Sequence, residues 1–141
     1  MSGLGSGRLG LVAGLLCLAG LGVAGYLTYV HYAGIDPVCT TGGCERVQAS
    51  EYSELAGVPV ALLGLIGYAA IAISLLARGD FGRALTAALA IAGFGFSLYL
   101  TYLELWVIDA ICQWCVASAV LMAALTVVTV LRLLREPGRR R

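Results

Sequence analysis

Long apolar runs dominate the pattern of hydrophobic and polar positions along the chain. Four of them, at about residues 9–30, 58–77, 84–107 and 111–131, carry no charge near their middle. A bilayer core about 30 Å thick needs about 20 helical residues to cross it, and none of the runs alternates as a transmembrane strand would. The pattern predicts an all-α protein of one domain, an integral membrane four-helix bundle.

The composition favours the same class. Charged residues make up 12% of the chain, whereas soluble domains contain about 25%. The nine basic residues are all arginine and form no patch, and the net charge is +1. We therefore expect lipid as the surrounding medium and no nucleic acid as a partner.

The arginines predict an orientation. Eight of the nine lie on one side of the predicted bundle, before the first run, between the second and third, and after the fourth; Arg46 is the exception. Because cytoplasmic loops carry the excess of basic residues, we expect both termini and the turn at 78–83 to be cytoplasmic. The loop at 31–57 and the turn at 108–111 then face outward.

The outward loop at 31–57 contains one predicted element. The stretch "SEYSEL", residues 50–55, predicts a short helix with Ser50 as its N-cap and acidic residues in its first turn. Gly57 is predicted to end it, and Pro59 suits the first turn of the next helix.

Four of the five cysteines lie on the predicted outer side. Cys39 and Cys44 are in the loop, and Cys112 and Cys115 open the fourth helix. Cys17 lies within the first apolar run, where a small apolar filler is the usual role. The outer side of a cytoplasmic membrane is where disulfides form and persist.

Three interpretations of the outer cysteines stay open. Two structural disulfides would each close a very short loop, which stabilises a fold little, and a bridge inside one helical turn is reducible, as in redox pairs. Four thiolates could instead hold zinc. The third interpretation is a redox relay.

The position of the second pair favours the relay. Asp109 is predicted to cap the fourth helix, which places Cys112 in the first turn. There the helix dipole favours a thiolate by about 0.3–1 kcal/mol. Cys115 lies one turn deeper, where an oxidant dissolved in the bilayer can reach it. This predicts electron transfer from a soluble thiol, through both pairs, to a membrane quinone.

These residues resemble the vitamin K epoxide reductase family, in particular its bacterial members that serve disulfide-bond formation. The resemblance covers about residues 9–134 and rests on the loop pair, on "SEYSELAGVPVALLGLIGY" (residues 50–68), and on the CxxC pair that opens the fourth helix. It implies a quinone-dependent thiol–disulfide oxidoreductase of a bacterial inner membrane, with its active site on the periplasmic side. The implied cofactor is a quinone of the menaquinone or ubiquinone type, with no metal.

The resemblance also implies roles for single residues. A partner thiol attacks the loop disulfide at Cys39, Cys44 then attacks Cys112, and Cys115 faces the quinone. Ser50 matches a loop hydroxyl that the family uses near its site. Because the chain ends in "REPGRRR" with no fused thioredoxin-like domain, we expect the partner to be a separate soluble thioredoxin-fold protein on the outer side.

Two positions depart from eukaryotic members of that family. Those members hydrogen-bond the quinone through an Asn in the second helix and a Tyr four residues after the second CxxC cysteine; this chain has Val60 and Ala119 there. The residues that orient the quinone are therefore not predicted.

Quinone reduction consumes protons, and four residues near the predicted outer face could relay them. For each, an interfacial charge, a helix cap or a belt aromatic is the more common role; they are Glu104, Asp109, His31 and Tyr102.

Two further functions stay open. One is a non-enzymatic four-helix transporter or assembly subunit with structural disulfides. The other is a quinone or vitamin K epoxide reductase with a different electron donor.

Overall fold

Four helices make up most of the described part of the chain. The computed structural model describes residues 2–35, 54–55, 57–77, 79–108 and 113–135. Within them the helices are α1 (Ser2–Ala33), α2 (Val60–Ser74), α3 (Gly79–Tyr102) and α4 (Gln113–Arg135). A π-helical segment, Leu103–Ile108, continues α3, and two short strands, β1 (Glu54–Leu55) and β2 (Val58–Pro59), precede α2. The all-α four-helix fold predicted from the apolar runs is confirmed.

The helices close into a ring. Each packs mainly against two neighbours, α1 on α2, α2 on α3, α3 on α4 and α4 on α1. Consequently α2 and α4 face each other diagonally across the centre. The side chains that fill the centre come from all four helices: Ala13, Cys17, Ala24, Tyr68, Ile71, Ala90, Met122 and Leu125.

A stripe of small residues runs along the buried face of α1. Ala13, Cys17, Gly20 and Ala24 follow one another at intervals of four, three and four residues and are all buried. This spacing keeps them on one side of a helix, and small residues let membrane helices approach closely. Cys17 therefore packs as the small apolar side chain that its position predicted.

Most apolar side chains on the other faces point outward. Leu18, Ile73 and Val120 are each more than 60% exposed, whereas soluble proteins rarely expose large contiguous apolar surfaces. Within the described ranges, three segments are long and apolar enough to cross a membrane: Gly7–Ala33, Phe81–Val107 and Gln113–Arg135. These features are those of a membrane protein.

The second spanning helix is shorter than predicted. It was expected over about residues 58–77, but α2 has 15 residues and a length of about 22 Å, which is less than the bilayer core of about 30 Å. Val58 and Pro59 are extended, with Pro59 at ψ 136°, and the chain turns after Ser74. The apolar composition continues through both flanks, so composition alone could not locate these ends.

The end of the predicted loop helix is a hairpin instead. Glu54 pairs with Pro59 and Leu55 with Val58 in antiparallel register. Gly57, at φ +85°, adopts the left-handed conformation that glycine tolerates best and that a two-residue reversal requires. The helix predicted for residues 50–55 is therefore wrong at Glu54 and Leu55; residues 50–53 lie outside the described part of the chain.

Candidate active site

A partly enclosed cavity lies between the four helices, towards the end at which α1 finishes and α4 begins. The rings of Tyr26 on α1 and Trp114 on α4 meet at this end, with centroids 5.0 Å apart. The cavity has a volume of about 140 Å³, and engineered apolar cavities of about 150 Å³ bind benzene. It is therefore large enough for one six-membered ring.

Apolar side chains form most of the cavity wall. They come from every helix and include Leu27, Val60, Leu63, Phe96, Leu100, Leu103 and Met122. Six polar side chains interrupt them: Tyr68, Ser97, Thr101, Glu104, Cys115 and Ser118. A mostly apolar pocket with a few placed polar groups is the usual form of a small-molecule site.

One face of α4 contributes the thiol. Cys115, Ser118 and Met122 line the cavity at intervals of three and four residues, which places them on the same side of the helix. Cys115 is half-buried and lies at the N-terminal end of α4, next to Trp114. The cysteine that was predicted to face the quinone is thus part of the cavity wall.

Tyr68 on α2 reaches across the bundle to α4. Its hydroxyl donates a hydrogen bond to the Ser118 carbonyl oxygen at 2.8 Å and lies 3.0 Å from Ser118 Oγ. The ring is completely buried and packs on Gly20 of α1, where a Cβ atom would overlap the ring carbons. The glycine therefore makes room for this bridge between diagonal helices.

One face of α3 carries a polar series. Ser97, Thr101 and Glu104 line the cavity at intervals of four and three residues, and the Thr101 hydroxyl donates to the Ser97 carbonyl at 2.9 Å. Glu104 is 5% exposed and lies in the π-helical segment. The side chain is thus buried in the bundle, and its position near the membrane edge stays a prediction.

Most of the other predicted site residues are not described by the structure. Cys39, Cys44, Ser50 and Cys112 lie outside the described residues, as does the predicted cap Asp109.

Val60, His31 and Tyr102 are also within the described part. Val60 lines the cavity. His31 and Tyr102 are not among its lining residues; their rings contact Tyr32 and Trp106 respectively.

Sequence reasoning missed Tyr68 and Ser118. Both are polar groups inside apolar runs, and a buried tyrosine hydroxyl usually has a hydrogen-bond partner. That rule points to a partner for Tyr68, although not to one fifty residues away. Ser118 stands directly before Ala119, the position that had been noted only for lacking a hydrogen-bond donor.

The cavity suits a flat, apolar ring that bears carbonyl oxygens. Its walls are mostly apolar, Tyr68 and Ser118 are among the residues that line it, and their hydroxyl oxygens lie 3.0 Å apart. Hydroxyl groups can donate to carbonyl oxygens. The donor set therefore fits a quinone, which the described residues could hold between α2, α3 and α4.

One comparison with known proteins identifies a family. The family model described as "Vitamin K epoxide reductase family" matches residues 11–130, which is most of the chain. The matched range contains all the residues of the cavity wall as well as the four outer cysteines.

Proposed function

The chain belongs to the vitamin K epoxide reductase family, and from this membership we propose that it is a quinone-dependent thiol–disulfide oxidoreductase. Family membership makes it a membrane oxidoreductase. The proposed activity is the reoxidation of a soluble thioredoxin-fold protein, with electrons passed to a membrane quinone of the menaquinone or ubiquinone type. This activity supports disulfide-bond formation outside the cytoplasm of a bacterium.

The observation that carries the proposal is the position of Cys115. Its side chain lies in the wall of an apolar cavity inside a bundle whose outer faces are apolar. A lipid-soluble oxidant can partition into such a site, because transfer of apolar surface out of water is favourable. A charged, water-soluble oxidant would lose its hydration there at high cost.

Tyr68 and Ser118 are the groups proposed to hold the quinone. Each hydroxyl has one hydrogen to donate. When Tyr68 donates to the Ser118 carbonyl, the Ser118 hydroxyl hydrogen is available to a carbonyl oxygen in the cavity. A bound quinone supplies an acceptor for two electrons and two protons. In this chain the pair takes the place of the Asn and Tyr of eukaryotic relatives.

The cysteine relay is part of the proposal. A partner thiolate attacks Cys39 and opens the Cys39–Cys44 disulfide, and Cys44 then attacks Cys112 of the Cys112–Cys115 disulfide. The thiolate of Cys115 is released at the cavity. A second thiolate of the partner then displaces Cys39, and Cys39 attacks Cys44, which re-forms the loop disulfide and frees the Cys112 thiol. Ser50 is proposed to assist by hydrogen bonding near the loop pair, and the active site is placed on the periplasmic side of the inner membrane with both termini cytoplasmic.

Quinone reduction tests the proposal directly. Purified protein in lipid receives a reduced thioredoxin-fold partner and a quinone, and quinone absorbance is followed. We expect Cys115→Ala to reduce the rate to that of protein-free membranes. Cys17→Ala is the matched control: it removes the other described cysteine, which is buried in the core and is not among the residues that line the cavity, and should keep close to the original rate.

Trapping of mixed disulfides separates the alternatives. Mass spectrometry after rapid alkylation should show Cys39 joined to the partner and Cys44 joined to Cys112. Quinone reduction with a small dithiol but not with the thioredoxin-fold partner would favour a reductase with a different donor. Unchanged activity in Cys115→Ala would contradict the proposed relay. No quinone reduction by the original protein with either donor would leave the non-enzymatic subunit as the better interpretation.

A further inference from the structure

Glu104 is the one carboxyl group among the described residues that line the cavity. It is almost completely buried and is the second residue of the π-helical segment that follows α3. Segments of π-helix within α-helices occur frequently at functional sites. The π-helical segment thus begins next to the residue whose carboxyl group belongs to the cavity wall.

Ionisable residues are uncommon inside membrane spans. The span Phe81–Val107 contains two charged residues, Arg83 near its start and Glu104 near its end. Such residues are costly in a bilayer, usually face a bundle interior or cavity, and mark ion and proton paths. Because Glu104 lines the cavity that contains Cys115, a role in the chemistry of that cavity follows.

Glu104 and Cys115 lie at the same end of neighbouring helices. The π-helical segment ends at Ile108 and α4 begins at Gln113, so the two residues are close to the ends of antiparallel elements that pack together. The other titratable group in the described wall is Tyr68 on α2, and α1 contributes only Ala24 and Leu27. The carboxyl group is therefore the natural proton carrier of this set.

We propose that Glu104 carries a proton from the cysteine pair to the quinone. The inference rests on the proposed function. When Cys112 and Cys115 join in a disulfide, two S–H bonds break, one S–S bond forms, and two electrons and two protons are released. Both electrons and both protons pass to the quinone, where two O–H bonds form. The Glu104 carboxylate accepts one of these protons, releases it again and returns to its initial state.

Glu104→Gln isolates the ionisation from the shape of the side chain. Pre-reduced protein in lipid is mixed with a water-soluble short-chain quinone, and a single turnover is recorded at several pH values. We expect a rate lower by about a hundredfold, the lower range for a positioned acid–base group, and a flattened pH profile. Glu104→Asp keeps a carboxyl group and should retain a pH-dependent rate.

Two measurements without turnover separate a proton carrier from a structural residue. The first is the Kd of the quinone for the oxidised protein, which should change little in Glu104→Gln. The second is an infrared pH titration of the quinone-free protein. It should contain a carboxyl band that titrates in the pH range of turnover, is present in the original protein and is lost in Glu104→Gln.

Each contrary outcome has a distinct meaning. If the original protein reduces no quinone, the proposed function and this inference both fail. If it reduces quinone and Glu104→Gln has the same rate and pH profile, the inference alone is overturned. The inference is also overturned, in favour of a structural role, if Glu104→Gln is slower but keeps the original pH profile. The same holds if its slower rate is accounted for by a higher Kd for the quinone or by a lower Tm.

Discussion

The two ends of the bundle use buried hydroxyl groups differently. At the end away from Cys115, Ser74 and Thr86 are both buried and their hydroxyls lie 2.8 Å apart. Each hydroxyl is also within hydrogen-bond distance of a carbonyl of its own helix, Ser74 of Ile71 and Thr86 of Gly82. Because each has one hydrogen, one of the two hydroxyls donates to the other, which donates to its own carbonyl. At the other end Tyr68 and Ser118 form a similar pair, but this pair borders a cavity.

We expect the Ser74–Thr86 pair to stabilise the bundle and the Tyr68–Ser118 pair to act in quinone binding as well. The bonds of Ser74 and Thr86 are made entirely within the protein, and interhelical bonds of this kind hold membrane helices together. Tyr68 and Ser118 also join two helices, but they share the cavity with a thiol and a carboxyl group. Polar groups at the first end should therefore affect only stability, and those at the second end both stability and turnover.

Gly20→Ala should produce the largest change in this comparison. The new methyl group would overlap the ring of Tyr68, which is fully buried, and overpacking of this kind costs about 1–3 kcal/mol. We expect a lower free energy of unfolding in detergent titration and a weaker quinone affinity, because the ring can relieve the overlap only by moving at the cavity.

Gly22→Ala is the matched control for that change. Gly22 is on the same helix but is exposed, and a Cβ atom there would have no neighbour within 4 Å. It should leave stability unchanged or raise it by up to about 1 kcal/mol, the helix-propensity gain of alanine over glycine. Equal effects of the two substitutions would show that Tyr68 does not need the space at Gly20.

Tyr68→Phe should have an intermediate effect. It removes the bond to Ser118 and one hydroxyl of the cavity while keeping the ring. A hydrogen bond contributes about 0.5–1.5 kcal/mol, and its loss corresponds to a rise in quinone KM of about 2- to 13-fold. Steady-state kinetics with varied quinone would measure it, with Tyr29→Phe as a control on the exposed face of α1. A loss of stability with unchanged KM would place Tyr68 with the structural hydroxyls.

Much of this fold could be predicted from the chain, because the bilayer imposes long apolar segments that are visible in sequence. The ends of the segments could not. Leu75, Leu76 and Ala77 are as apolar as the helix before them, yet they form a turn. The hairpin at Glu54–Pro59 depends on the positive φ of Gly57, and glycine at that position had equally suggested the end of a helix.

Some residues of the candidate site could likewise be predicted from the sequence, and others could not. The CxxC spacing is local, so Cys115 could be named before the structure was known. The Tyr68–Ser118 bond joins residues fifty positions apart, and no local pattern specifies which diagonal pair meets. Glu104 was placed near the membrane edge because it is near the end of its run; it is buried and lies in a π-helical segment, and an apolar run does not show which of its residues face the centre of a bundle.

Substitutions at Ser74 and Thr86 should have the smallest effect on stability and none on turnover. They test the end of the bundle that is away from Cys115. In a double-mutant cycle of Ser74→Ala and Thr86→Val, the coupling energy should be about 0.6 kcal/mol and at most about 1.7 kcal/mol, the range for interhelical bonds in a membrane protein. The rate of quinone reduction, normalised to folded protein, should stay the same in all three variants, because neither side chain lines the cavity. A change in quinone KM comparable to that of Tyr68→Phe would show that the two ends are coupled. Residues outside the cavity wall would then also affect quinone binding.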